Sequence, residues 1–374
     1  MKAIRTVLFW IHLAIGLSAG LVIGVMSLTG LLLSLEPQIL TLAESPPAQP
    51  ASVTPPLPSW PDAAQLEGVR SITLFQQPGR ALLLQQEGGT WRYDPQTQAL
   101  TESRLRQTFH AIESWHRTLS LEGPRRDTGK AITGAANLLF VILGLSGIWL
   151  WWPRRWSLAQ LKAISLFRWR LHGQARDFNW HHAAGIWSVV AILTMSTTGL
   201  VMSYRWANSL VYRLVGEATP VRSGGPGGPR PAGPLSPPPP LAPILAAVSS
   251  TVPNWESITV PLANQPNAPL ELTVLQQGVA LPAARHTLAI DRTTYRVVRH
   301  DQFTDGSPGR RLRAMLRFLH TGQALGLAGQ VVAGLGCVAA LVLLYTGWAL
   351  SYRRFSRPAP RKSAVPRPPD DASA

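Results

Sequence analysis

Cysteine and charge are both scarce in this chain. Cys337 is the only cysteine among 374 residues, so no intrachain disulfide can form. The Cys-x-x-Cys-His motif is likewise excluded, and with it covalently attached c-type haem. Charged residues make up 14% of the chain, against about 25% for a typical soluble protein. No Gly-x-Gly-x-x-Gly follows a strand-like segment, so a built-in NAD or FAD domain is unsupported. No Ser-His-Asp constellation stands out, and His181-His182 is not the His-Glu-x-x-His of a metalloprotease. Acids are the scarcer sign of charge, 19 Asp and Glu against 35 Lys and Arg.

What the chain has in quantity is long apolar runs. Four of them, at 1–35, 131–152, 183–204 and 324–352, are long enough to cross a hydrocarbon core, which takes about 20 helical residues. The first exceeds a signal-peptide core in length and is taken as a retained helix. Basic residues set the orientation. Lys2 and Arg5 precede the first run. The loop 153–182 holds Arg154, Arg155, Lys162, Arg168, Arg170 and Arg176, and the tail 353–374 holds Arg353, Arg354, Arg357, Arg361, Lys362 and Arg367. Both termini are therefore expected in the cytoplasm of a bacterium, with segments 36–130 and 205–323 in the periplasm. The net charge of +16 reports this topology, and no nucleic-acid partner is expected.

The halves read as two parallel repeats. Ser27-Leu28-Thr29-Gly30-Leu31 matches Ser196-Thr197-Thr198-Gly199-Leu200, and Leu145-Ser146-Gly147 matches Tyr345-Thr346-Gly347. Tyr93-Asp94-Pro95-Gln96-Thr97 corresponds to Ile290-Asp291-Arg292-Thr293-Thr294. Alternating strands are expected at 71–75, 81–86, 90–93, 257–261 and 270–276. The expected fold class is membrane α-helical: four transmembrane helices in two parallel repeats, each with a periplasmic α+β domain. Residues 217–242, rich in Pro and Gly, are expected to be a disordered linker, and 46–58 a shorter one.

Nine histidines supply the most informative chemistry. His12 lies a turn or so inside the first helix, and His181 and His182 open the third at the same end. His116 and His320 shortly precede the second and fourth helices on the other side. Ionisable groups at membrane depth are costly and point to function. His12 is followed by Gly16 and His181 by Gly185, each four residues on and on the same helical face. Such small-residue stripes allow close helix packing, or room for a flat macrocycle. His12 with His181, and His116 with His320, could each give two axial imidazoles from facing helices at matching depth. His182 competes with His181 for that role. The alternative is interfacial histidine without a cofactor. His110 reads as a surface histidine or substrate contact, and His172, His286 and His300 as solvated.

At these residues the sequence resembles the PepSY-associated transmembrane family, which includes iron-regulated inner-membrane proteins and ferrisiderophore reductases of the FoxB type. The likeness rests on the His-x-x-x-Gly openings, the Thr-Gly-Leu near the outer helix ends, and the Tyr-Asp-Pro turn at Tyr93. Gly147-Ile148-Trp149-Leu150-Trp151-Trp152-Pro153-Arg154-Arg155 is its most specific part. The resemblance implies PepSY-like external domains, the second a degenerate match. It also implies b-type haem, expected as two groups, on His12, His181, His116 and His320. The implied activity passes electrons across the inner membrane to a ferric siderophore or other ferric chelate. Without a nucleotide-binding domain, the donor would be a quinol or a separate cytoplasmic reductase. The outer segment's excess of basic residues suits an anionic chelate, although Arg310, Arg311, Arg313 and Arg317 also read as an amphipathic helix lying on the lipid surface. The rival class is a haem-free adaptor whose PepSY-like domains bind peptide or protein. A transporter is disfavoured, because no central Asp or Glu occurs in the four runs.

Overall fold

The computed structural model of the chain describes residues 2–44, 60–77, 79–86, 89–153, 157–220, 239–262 and 268–356. Most of the expected linker 217–242 lies outside them, as do 46–58, Arg154, Arg155 and the tail beyond residue 356.

In chain order, α1 (Lys2–Ser34) and α2 (Glu36–Glu44) lead to strands β1 (Val69–Phe75), β2 (Leu82–Gln86), β3 (Gly89–Asp94) and β4 (Ala99–Glu102). Then come α3 (Arg104–Thr118), α4 (Arg126–Trp151), α5 (Leu158–Ser165), α6 (Gly173–Ser203) and α7 (Arg205–Leu214). The rest is α8 (Leu241–Thr251), β5 (Trp255–Pro261), β6 (Leu270–Gln276), β7 (Arg285–Ile290), β8 (Val297–Asp301), α9 (Pro308–His320) and α10 (Gly326–Ser356). The helices α1, α4, α6 and α10 are each long and apolar enough to cross a membrane.

Two of these helices start earlier than hydropathy suggests. α6 begins ten residues before position 183, so His181 and His182 lie two turns inside it instead of opening it. The extra turns carry polar residues whose partners are internal. Asn179 Nδ2 donates to the carbonyls of Ala163 and Leu166, and its Oδ1 accepts from Arg168 N–H. Asp177 is fully buried and accepts from Arg176 (2.8 Å) and Arg353. A hydropathy window counts these groups as exposed, whereas the fold neutralises them. α4 similarly starts at Arg126 instead of 131 and includes Asp127 and Lys130, which pair across 3.2 Å.

The four long helices form a ring in which α1 and α6 each pack on α4 and α10. α1 and α6 therefore stand diagonally. Small residues set the close contacts: a Cβ on Gly24 would meet Leu344 at 2.6 Å, and one on Gly144 would meet Leu193 at 2.7 Å. Gly20, on the same face of α1 as His12, likewise meets side chains of α10, Leu344 at 2.8 Å and Trp348 at 2.9 Å, which is close helix packing.

The strands depart from the expectation of two separate domains. All eight make one antiparallel sheet in the order β4-β3-β2-β1-β5-β6-β7-β8. The halves meet where β1 pairs β5, with Thr73 opposite Thr259 and their hydroxyls 2.9 Å apart. Alternation is what makes the seam possible: Ile72, Leu74, Ile258 and Val260 all turn into one core with Leu272, Val274 and Leu288. α8 closes that core with Leu241, Ile244 and Val248, so the last residues of the expected linker are helical. The Asp-containing turns end the third strand of each half. Asp94 Oδ1 accepts from Gln96 N–H, and Asp291 Oδ1 from the N–H groups of Thr293 and Thr294. β4, β7 and β8 lie outside the expected strands: β4 and β8 are short and mostly exposed, and β7 ends in three consecutive buried residues, so none shows a clear apolar/polar alternation.

The Asp177 clamp yields a prediction. Replacing Asp177 with Ala strands two arginines, each about a third exposed and so partly rescued by water. The thermal midpoint of the purified protein should fall by an amount worth about 2 kcal/mol. An unchanged midpoint would show that the clamp adds nothing.

Candidate functional site: two histidine pairs

Two histidine pairs stand at opposite ends of the bundle. At the end away from the sheet, His12 of α1 faces His181 of α6, with ring centres 6.4 Å apart and planes at 80°. At the sheet end, His116 lies in the last turn of α3 and His320 ends α9. Their ring centres are also 6.4 Å apart, with planes at 62°. The helices supplying or holding these rings are the diagonal ones, so each pair meets across the middle of the ring.

Each imidazole is fixed through Nδ1. His12 Nδ1 lies 2.8 Å from Ser146 Oγ, and His181 Nδ1 lies 2.9 Å from Thr346 Oγ1. His116 Nδ1 reaches Thr29 Oγ1 and the Met26 carbonyl, each at 3.0 Å. His320 Nδ1 reaches Thr198 Oγ1 at 3.3 Å and the Met195 carbonyl at 2.7 Å. A carbonyl can only accept, so Nδ1 carries the proton in His116 and His320. The hydroxyls are spent in the same way. Ser146 donates to Leu143 O, Thr346 to Val342 O, Thr29 to Val25 O and Thr198 to Thr194 O. With its own proton on a helix carbonyl each hydroxyl is left to accept from the imidazole, an arrangement in which Nε2 keeps its lone pair, as the carbonyl bonds require in His116 and His320. A hydrogen bond at one ring nitrogen that fixes tautomer and orientation is how proteins prepare the other nitrogen of a histidine as a metal ligand.

A glycine follows every one of the four hydroxyl residues. A Cβ on Gly30, Gly147, Gly199 or Gly347 would stand 3.2–3.6 Å from the Cε1 atom of the histidine held there. The Ser/Thr-Gly pairs therefore supply both the oxygen and the space. These partners are what sequence reasoning missed: it used the pairs as markers of repetition and did not connect them to the histidines. A numerical signal was present. Met26 and Thr29 lie 14 and 17 residues after His12, and Met195 and Thr198 lie 14 and 17 residues after His181.

Two other glycines set the height of the sheet-end pair. A Cβ on Gly129 would come within 2.0 Å of Thr118 O, and one on Gly329 within 2.2 Å of Gly322 O. Backbone meets backbone there, immediately beyond each histidine. Thr133 Oγ1 adds a bond to Arg117 O.

The other histidines take different places. His182 donates from Nδ1 to Phe178 O and lies on the Phe178 ring, 4.2 Å between centres. It faces α5, so the geometry pairs His181, and not its neighbour, with His12. His110 and His172 are exposed. His286 and His300 differ from the solvated reading: they stack at 5.2 Å, and a hydrogen bond of 3.0 Å joins them. Cross-strand placement on β7 and β8 brings them together, which no spacing rule reveals. Arg310, Arg311 and Arg317 are exposed on α9, which packs against α6 and α7 and holds Asn208 through Arg313.

Among the described residues no group of three or more His, Cys, Asp or Glu gathers that could hold a metal ion. Each pair offers two imidazoles, the number needed by an iron whose other four positions a macrocycle fills. Gly16 has nothing within 4 Å of a notional Cβ, and Gly185 only Leu343 at 3.7 Å. Open space thus lies one turn beyond His12 and His181.

Burial pushes the His116 imidazole down to about 4, with His320 beside it adding to the shift, and burial lowers His320 as well. The unfolded chain then binds protons that the folded chain refuses. Stability should be at its plateau above about pH 6.5 and decline as pH falls toward 4, by up to about 3 kcal/mol for His116. Thermal midpoints of ligand-free protein across that range check this, and the slope should shrink in His116→Gln. Gly329→Ala should displace His320 and lower the midpoint while leaving the His12 end intact, as read by histidine NMR shifts.

No curated protein matches the chain. The family model of the PepSY-associated TM region matches residues 9–354, and this multi-pass membrane protein belongs to that family.

Proposed function

We propose that the chain is a haem-b-containing inner-membrane reductase. It would carry electrons from the cytoplasmic side to the iron of a ferric siderophore or similar ferric chelate in the periplasm. The observation that carries this reading is the two histidine pairs with tied Nδ1 atoms and free Nε2 atoms. In both pairs the ring centres stand 6.4 Å apart, close enough for two imidazoles from different helices to hold one haem iron between them. His12 and His181 would hold one haem, and His116 and His320 the other. Bound there, haem supplies a reversible one-electron couple.

The chain's own residues do the rest. Ser146, Thr346, Thr29 and Thr198 orient the imidazoles, and the glycines beside them keep the rings unobstructed. The offset of 14 to 17 residues between the pairs corresponds to about 21–26 Å along a helix. That is most of the ~30 Å hydrocarbon thickness, which suits transfer from one face to the other. The same offset in α1 and α6 favours the reading of two parallel repeats. Orientation follows the basic residues, with the termini and His12 on the cytoplasmic side and the sheet in the periplasm. Exposed Arg310, Arg311 and Arg317 precede His320 and would attract an anionic chelate.

Protein made with ample haem should show a reduced α-band and about two haems per chain by pyridine haemochrome. His12→Ala and His181→Ala should remove the same haem, and His116→Ala and His320→Ala the other. A preparation without a Soret band would leave the haem-free adaptor as the better account.

A further inference from the structure

Away from the sheet, the bundle carries a cavity that the histidine pairs leave unused. It measures about 200 Å³ and lies between α5 and the start of α6, lined by Ala163, Ile164, Arg168, Leu171, Phe178 and His182 among others. Its wall is built in. Asn179 ties both ends of the α5 turn to α6 through three hydrogen bonds, and Trp187 Nε1 donates to Ser165 O at 2.8 Å. Those bonds use up the polar atoms of Asn179. His182 is different: its Nδ1 proton goes to the Phe178 carbonyl, so Nε2 is an acceptor with no hydrogen bond among the described residues.

The size and rim of the cavity narrow its occupant. Pockets for drug-sized ligands run from about 300 Å³ upward, and this smaller, half-open one is of a size for a single substituted ring. Phe178 in its lining is more than half exposed, and the elements that form it, α5, the turn after it and α6, also carry Leu158, Trp169 and Trp187, each more than 70% exposed, and Leu166, more than half exposed. Exposed Trp and Leu at the end of a membrane bundle mark the lipid interface. The ring centre of His182 is 6.4 Å from that of His181.

We propose that this cavity binds the head group of a lipid-soluble hydroquinone, its ring against Phe178 and one hydroxyl donating to His182 Nε2, and that this hydroquinone is the electron donor. The inference rests on the reading of His12 and His181 as a haem-holding pair. In the reaction the hydroquinone becomes the quinone, giving up two electrons and two protons. The electrons reduce two ferric chelates by one electron each, and the protons pass to water on the donor side. The isoprenoid tail leaves between the exposed apolar side chains.

The test uses the full chain in lipid nanodiscs, with a short-chain ubiquinone and its quinol as probes. Quenching of tryptophan fluorescence by the quinone measures binding without haem, and anaerobic mixing with the quinol measures haem reduction. Wild type should show saturable quenching and rapid reduction. His182→Gln should bind about tenfold more weakly, and Ala163→Phe, which fills the cavity, should abolish saturation. Both variants should keep full haem content by pyridine haemochrome and full reduction by dithionite. If haem is present but quenching is unsaturable in wild type, or unchanged in Ala163→Phe, the cavity is not a quinone site. Loss of haem in His182→Gln would make His182 a ligand and overturn its assigned role. Absence of haem from wild type overturns the donor role with the reading beneath it, while the quenching titration still decides whether the cavity binds quinone.

Discussion

Four Nδ1–H groups, each donating to an oxygen on a neighbouring helix, determine where the rest of the bundle can sit. His12 reaches α4 and His181 reaches α10, while His116 reaches α1 and His320 reaches α6. Each bond spans two helices, so changing the depth or rotation of one helix would misplace an imidazole on another. Glycine follows each accepting hydroxyl: a Cβ would crowd the ring at Gly30 and Gly199, at 3.3 and 3.2 Å, and would touch it at 3.6 Å at Gly147 and Gly347. The close contacts of Gly129 and Gly329 fix the height at which the histidine helices end.

The same constraint relates the bundle to the sheet. His116 lies in the last turn of α3 and His320 ends α9, and each helix follows the last strand of a four-stranded half, β4 or β8. Joining the halves through β1 and β5 into one sheet couples the positions of those two helices. A single sheet is thus a better device for holding two histidines at a set spacing than two independently moving domains. In the proposed function, the sheet fixes the distance between the partners of the outer haem.

Much of this was legible in the sequence. The four long runs, five of the eight strands and the paired Asp turns all follow from periodicity and turn chemistry. Hydropathy failed at the start of α6, because Asp177 and Asn179 are polar by type but satisfied inside the fold. It could not show that two external segments form one sheet, since the β1–β5 pairing joins residues almost 190 positions apart. The four histidines stood out as ionisable residues near membrane depth. Their hydroxyl partners did not, because serine and threonine commonly bond their own helix carbonyl, and these do both. His286 and His300 were unreadable for the same reason as the sheet seam: only strand register brings them together.

The most direct test of the central claim is electron paramagnetic resonance of the oxidised, haem-loaded protein at low temperature. Imidazole planes at 80° and 62° are far from parallel. The account therefore predicts low-spin ferric signals of the strongly anisotropic kind that crossed axial imidazoles produce, from both sites, with the far-end signal lost in His12→Ala. A spectrum showing only high-spin iron, or no haem iron at all, would contradict the assignment of these histidines as axial pairs.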